Sequence, residues 1–124
     1  MMFGLKFVAD FPAAHPLGNY PGDCSRTHGH NRQVEVLVAS KVLDDVGMAI
    51  DFREIKKQTK VVVKRLDHQY LNEVTPFDQL NPTAENLAKY FYEEIGQLIN
   101  NQDVRVKEVT IWETLRASVT YSED

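Results

Sequence analysis

Two histidines and the only cysteine of the chain lie within residues 24–31, which read Cys-Ser-Arg-Thr-His-Gly-His-Asn. If this segment enters a β-strand, His28 and His30 project to the same side, with Cα atoms roughly 6–7 Å apart. Two imidazoles at that separation can bind one metal ion, whereas a helix would turn them to nearly opposite sides. The apolar, β-branched stretch 34–39 that follows favours the strand.

A third histidine, His15, could complete a metal site. It precedes a turn-rich segment, residues 16–22, with two prolines and two glycines, which could fold it back toward His28 and His30. Three imidazoles would give Zn²⁺ three nitrogen ligands and leave one coordination position open, as is typical of catalytic zinc. The alternative is that the His-Gly-His triplet is the polar start of a strand and that His15 is an ordinary loop residue.

Three further residues could move protons. Cys24 has three interpretations: a small buried apolar residue, a fourth metal ligand or a reactive thiol. A nearby dication and Arg26 would stabilise its thiolate form, which could then act as a base or nucleophile. Asp67 and His68 place a carboxylate beside an imidazole, the two parts of a proton relay. Because adjacent side chains diverge, this pair could equally be two solvent-facing residues.

Glu113 is a carboxylate within the apolar stretch Ile-Trp-Glu-Thr at residues 111–114. A half-buried carboxylate needs partners. Either Glu113 faces an arginine or water at a strand end, or it accepts paired N–H donors from a planar ligand such as an aminopyrimidine edge.

Composition limits the classes of function. A chain of 124 residues with 43% hydrophobic content predicts one compact domain, residues 1–124. The net charge of −4 argues against a nucleic-acid partner. A single cysteine cannot form an internal disulfide, no basic leader precedes an apolar run, and the apolar runs fall far short of the roughly 20 residues that span a bilayer. We therefore expect a soluble cytoplasmic protein with no membrane partner.

The hydrophobic pattern predicts four strands, at residues 3–11, about 30–42, 104–114 and 117–121. Pro12 should end the regular pairing of the first strand, because proline has no N–H to donate. In the third strand the apolar parity switches between Val106 and Val109, which predicts a β-bulge.

Two helices are predicted between the second and third strands. The first begins with Asp51 as N-cap and Glu54 three residues later, and the second begins within residues 81–86 with Asn81 or Thr83 as cap. Each should bury one apolar stripe: Phe52, Ile55, Thr59, Val62, Val63 and Leu66 in the first, and Ala84, Leu87, Phe91, Ile95, Leu98 and Ile99 in the second. The order ββααββ predicts an α+β fold, a four-stranded antiparallel sheet with both helices on one face.

Taken together, these residues resemble the 6-pyruvoyl-tetrahydropterin synthase / 6-carboxy-tetrahydropterin synthase family nearly from end to end. The matching motifs are F-x-A-A-H at 11–15, C-x-x-x-H-G-H-N at 24–31, G-M-x-x-D-F at 47–52, L-D-H-x-x-L-N at 66–72, N-P-T-x-E-N at 81–86 and E-T at 113–114. Three residues between the cysteine and the H-G-H triplet resemble the bacterial 6-carboxy-tetrahydropterin synthases of the queuosine pathway, whereas the pyruvoyl branch typically has five. Pro12 departs from the family, which more often has a polar residue there.

The resemblance implies a tunnelling fold, in which three protomers close their sheets into a barrel and two trimers stack as a homo-hexamer with sites between subunits. The resemblance implies that His15, His28 and His30 bind zinc. It implies that Cys24 is the base, with Asp67 and His68 as its proton relay. It also implies that Glu113 and Thr83 contact the pterin ring. The implied activity is a zinc-dependent lyase that converts dihydroneopterin triphosphate to 6-carboxy-tetrahydropterin with release of acetaldehyde and triphosphate. The alternatives are a 6-pyruvoyl-tetrahydropterin synthase and a non-catalytic pterin- or metal-binding member of the same fold.

Overall fold

The computed structural model describes residues 2–12, 31–66 and 75–123. Its elements, in chain order, are β1 (Phe3–Pro12), β2 (Asn31–Ser40), α1 (Phe52–Leu66), α2 (Ala84–Ile99), β3 (Val104–Trp112) and β4 (Ser118–Ser122). This confirms the predicted order and the α+β fold class.

The four strands form one antiparallel sheet in the order β1-β2-β3-β4. The described pairing of β1 ends at Pro12, as the sequence predicts, but Pro12 itself still lies opposite Asn31, so β1 is one residue longer than the predicted range 3–11. A proline is tolerated there because β1 is an outer strand with one neighbour in the described sheet. β3 ends at Trp112, two residues earlier than predicted, since the N–H of Glu113 turns to the Ala117 carbonyl at 3.0 Å.

The predicted bulge lies in β3. Leu37 of β2 pairs with Glu108 and the next residue, Val38, pairs with Val106, so that Lys107 is the additional residue. The shift allows Val106 and Val109, which differ in parity, both to be buried.

Side-chain caps start both helices as the sequence predicts. The Asp51 carboxylate accepts the Arg53 backbone N–H at 2.8 Å at the start of α1, and the Thr83 hydroxyl accepts the Asn86 N–H at 3.1 Å at the start of α2. The second cap is therefore Thr83 rather than Asn81. At 15 and 16 residues, neither helix in the described ranges is long and apolar enough to cross a membrane.

The core lies between the helices and one face of the sheet. Phe11 and Phe91 meet edge to face at its centre, with ring centroids 5.2 Å apart. Two residues assigned to the buried stripes are instead exposed. Phe52 is 54% exposed and lines a surface hollow with residues of the preceding turn. Leu98 is 39% exposed because its neighbour Ile99 occupies the inward position of the last turn.

Candidate functional site

Six of the eight predicted site residues lie outside the described residues: His15, Cys24, His28, His30, Asp67 and His68. Two of these residues directly adjoin described elements in the sequence. Strand β2 begins at Asn31, directly after His30 in the sequence, and α1 ends at Leu66, directly before Asp67. Residues 2–12, 31–66 and 75–123 hold no cluster of three His, Cys, Asp or Glu side chains that could bind a metal, and the zinc site stays a prediction.

Glu113 lies at the end of the sheet where β2 begins, because Trp112 pairs with Gln33. Its backbone is fixed by the hydrogen bond to the Ala117 carbonyl. Its carboxylate oxygen Oε1 lies 3.3 Å from Nη2 of Arg32, and its side chain is 38% exposed. The arginine expected as one alternative is therefore present, while the exposed part of the carboxylate can still accept donors from a ligand.

Arg32 is a site residue that the sequence alone did not indicate. It is 4% exposed although it carries a full charge, and it lies opposite the buried Phe11 in the β1–β2 ladder. Its Nη1 donates a long hydrogen bond of 3.5 Å to the Pro82 carbonyl. The available signal was its parity: Arg32 falls in step with the apolar residues of β2 that face the helices, where an uncharged residue is normal.

Thr83 lies at the start of α2, where residues 81–86 hydrogen-bond to one another. Besides the cap bond between its hydroxyl and the Asn86 N–H, the Asn86 side-chain amide donates to the Asn81 carbonyl at 2.9 Å. Accepting the cap bond does not consume the hydroxyl proton, so Thr83 retains a donor for a ligand. Since the Arg32 guanidinium contacts both the Pro82 carbonyl and Glu113, the motif containing Thr83 lies beside the predicted pterin anchor.

On the helix-free side of the sheet, the described residues leave a hollow at the same end. A hollow of about 290 Å³ lies there, lined by Asp10, Gln33, Trp112, Thr114 and Leu115. The Gln33 side-chain amide donates to the Asp10 carboxylate across its floor at 3.2 Å. The hollow therefore lies near the strand end that carries Glu113, but on the face of the sheet opposite to the Glu113 carboxylate.

Comparison with known proteins gives a consistent result. The family model described as 6-pyruvoyl tetrahydropterin synthase matches residues 5–124. A Synechocystis protein named 6-carboxy-5,6,7,8-tetrahydropterin synthase is 37% identical over 92 residues, 70% of each chain. A Pyrococcus furiosus protein named dihydroneopterin monophosphate aldolase is 35% identical over 107 residues, 86% of each chain.

The fold comparison extends over the whole chain. The structure of Caenorhabditis elegans 6-pyruvoyl tetrahydropterin synthase superposes with a TM-score of 0.83 at 28% identity, covering 100% of this chain and 97% of that one. This structural similarity agrees with the tunnelling fold that was expected from the sequence. With the family model matching all but the first four residues, the chain belongs to the 6-pyruvoyl tetrahydropterin synthase family.

Proposed function

We propose that the protein is a zinc-dependent 6-carboxy-tetrahydropterin synthase that makes a precursor of queuosine and related deazapurines. It would convert dihydroneopterin triphosphate and one water to 6-carboxy-tetrahydropterin, acetaldehyde and triphosphate. The observation that carries the proposal is the Glu113 carboxylate, partly exposed and ion-paired, at the sheet end where β2 begins directly after His30. The Synechocystis relative supports the carboxy branch.

The residues available fit a catalytic zinc ion. Three neutral imidazoles, from His15, His28 and His30, are ligands that Zn²⁺ prefers, and a three-histidine set leaves a position open for substrate. Zn²⁺ bound there would supply a Lewis acid toward the side-chain oxygens of the substrate.

Proton transfer falls to the chain's own residues. The Cys24 thiolate would remove a proton from a side-chain carbon of the substrate, because a nearby dication lowers the pKa of a thiol. His68, oriented by Asp67, would take or return a second proton. The triphosphate leaves, and cleavage of a carbon–carbon bond releases acetaldehyde.

Glu113 and Thr83 would hold the pterin ring. An ionised carboxylate has acceptor sites for the adjacent ring and amino N–H donors of the pterin while Arg32 occupies one of its oxygens. This fixes the register between the ring and the proton-transfer groups, where a misplacement of about 1 Å would cost about 100-fold in rate.

We further propose that the protein functions as a homo-hexamer, a dimer of trimers. Strands β1 and β4 are the two outer strands of the described sheet, each hydrogen-bonded to one neighbour there. Pairing β1 of one copy with β4 of the next would satisfy both edges and close three sheets into a barrel. Sedimentation analysis tests this: a monomer at micromolar concentration contradicts it, and isolated monomers should be inactive.

The decisive experiment is product analysis with purified protein of known metal content. With dihydroneopterin triphosphate, acetaldehyde and a carboxy-pterin support the proposal, whereas a pyruvoyl-pterin without acetaldehyde supports the pyruvoyl alternative. Dihydroneopterin monophosphate serves as a second substrate, because one relative is named as an aldolase for it. Specific pterin binding without turnover would indicate a non-catalytic member of the family.

A further inference from the structure

We propose that Arg32 is a positioning residue for the pterin ring, acting through Glu113. This inference rests on the proposed function, since it assumes that Glu113 is the pterin anchor. It adds a residue that would touch no substrate atom and would set where the anchoring carboxylate points.

The first step is the confinement of Arg32 itself. Its side chain is 5% exposed, and its ladder partner Phe11 is 1% exposed. A guanidinium buried to this degree is stable only where polar partners compensate for lost hydration. Its position is therefore fixed by packing on one side and by its polar contacts on the other.

The second step is that the guanidinium joins three separate segments. Arg32 is the second residue of β2, its Nη2 contacts Glu113 just beyond β3 at 3.3 Å, and its Nη1 contacts the Pro82 carbonyl just before α2 at 3.5 Å. The group is planar and rigid, so two contacts through different nitrogens define the relative placement of their partners. The shorter, charged contact to Glu113 is the stronger constraint.

The third step is the effect on Glu113. The backbone of this residue is held by its hydrogen bond to Ala117, and one carboxylate oxygen is held by Arg32. The side chain thus lies in one orientation before any ligand arrives, while its 38% exposure leaves acceptor capacity toward the outside. A carboxylate restrained in this way loses less conformational freedom on binding, which favours affinity for a planar pair of N–H donors.

The Pro82 contact extends the same constraint to Thr83. Because Thr83 follows Pro82 directly and is fixed as the cap of α2, the guanidinium adds a constraint on the spacing between the two predicted pterin contacts. A pterin would meet a carboxylate and a hydroxyl that one buried cation helps to hold at a fixed separation.

The test is a double-mutant cycle on binding of neopterin, a pterin without phosphates, to the zinc-loaded protein, with fluorescence as the readout. We expect Glu113→Gln to weaken binding, and Arg32→Met to raise the Kd about tenfold when Glu113 is present, since residues in contact are typically coupled by such an amount. In the Glu113→Gln background, Arg32→Met should change the Kd by less than about twofold. Arg32→Lys should recover part of the affinity, because an ammonium retains the charge but not the planar fork.

Arg65→Met is the matched control. It removes an arginine that pairs with Glu94 at 2.6 Å on the helix surface, and it should leave the neopterin Kd unchanged. If Arg32→Met does not fold, Arg32→Lys carries the same cycle, with a raised Kd that depends on Glu113.

Two outcomes overturn the role of Arg32 alone: an unchanged Kd in the Arg32 variants, or an equal loss with and without Glu113, which indicates a structural effect. If instead Glu113→Gln binds neopterin as wild type does, the pterin anchor of the proposed function fails and the role of Arg32 fails with it. The Glu113 single variant therefore separates the two failures.

Discussion

The Arg32 guanidinium and the Glu113 carboxylate lie 3.3 Å apart, yet the arginine side chain is 5% exposed and the glutamate side chain 38%. Removing either partner should therefore have unequal effects on stability. Glu113→Ala removes one charged partner of a buried guanidinium that keeps its contact with the Pro82 carbonyl, and we expect the free energy of unfolding to fall by about 2 kcal/mol. Arg32→Met leaves a carboxylate that water reaches, and we expect a loss of about 1 kcal/mol. Urea unfolding at fixed protein concentration measures both; equal losses would contradict the asymmetry.

The hydroxyl of Thr83 caps α2 through the Asn86 N–H. Thr83→Ala removes that acceptor, and we expect it to lower the free energy of unfolding by about 1 kcal/mol. Thr83→Ser keeps the hydroxyl and is the control, so it should retain most of the stability and of the affinity for neopterin. If the alanine and serine variants unfold at the same urea concentration, the cap does not contribute as described.

The proposed metal site predicts a separation between metal content and turnover. Alanine at His15, His28 or His30 should lower the zinc content of the purified protein, because each substitution removes one nitrogen ligand. Cys24→Ala should keep its zinc and lose about 100-fold or more in turnover, the loss expected when a general base is removed. Elemental analysis and product formation are measured on the same samples. A Cys24→Ala variant with wild-type turnover would rule out the proposed base.

Asp51 provides a pH test of the fold. Hydrogen bonds from the Arg53 side chain, and then from the Arg53 backbone N–H, hold the pKa of Asp51 below its ordinary value of 3.8. Since the folded pKa lies below the unfolded one, the contribution of this charge to stability is complete above the unfolded pKa and disappears as the pH falls through the folded pKa.

Asp51→Asn is the matched variant, because asparagine can also cap a helix but carries no charge. The difference in unfolding free energy between wild type and Asp51→Asn should be constant from neutral pH down to about pH 5 and shrink below about pH 4. Arg53→Gln should weaken this pH dependence, since it removes the main cause of the shift. A difference that grows toward low pH would contradict the assignment.

Much of the fold could be predicted from local sequence patterns. The helix starts at Asp51 and Thr83 were predictable because a capping side chain acts on the next few backbone groups. The bulge was predictable because Val106 and Val109 differ in parity, and one strand can bury both on the same face only if it contains an additional residue between them. Phe52 was misassigned because helical spacing alone does not show where the sheet ceases to cover a helix.

The site was predictable only in part. Glu113 stood out as a charge in an apolar stretch, but its partner Arg32 lies on another strand, and no spacing rule connects residues brought together by sheet register. The parity of Arg32 with Val34 and Val36 pointed to its burial, but it did not show that Glu113 lies within reach of the guanidinium. The convergence of His15, His28 and His30 concerns residues outside the described ranges and stays a prediction.

The bulge at Lys107 determines on which side of the sheet Glu113 emerges. Strict alternation onward from Val106, which packs inward, would turn every later odd-numbered residue outward, Glu113 among them, and away from Arg32. The additional residue reverses this alternation, so that Val109 and Ile111 pack inward and Glu113 follows them. Without the bulge, a β3 strand of the same sequence would place the Glu113 carboxylate on the helix-free face of the sheet, away from Arg32.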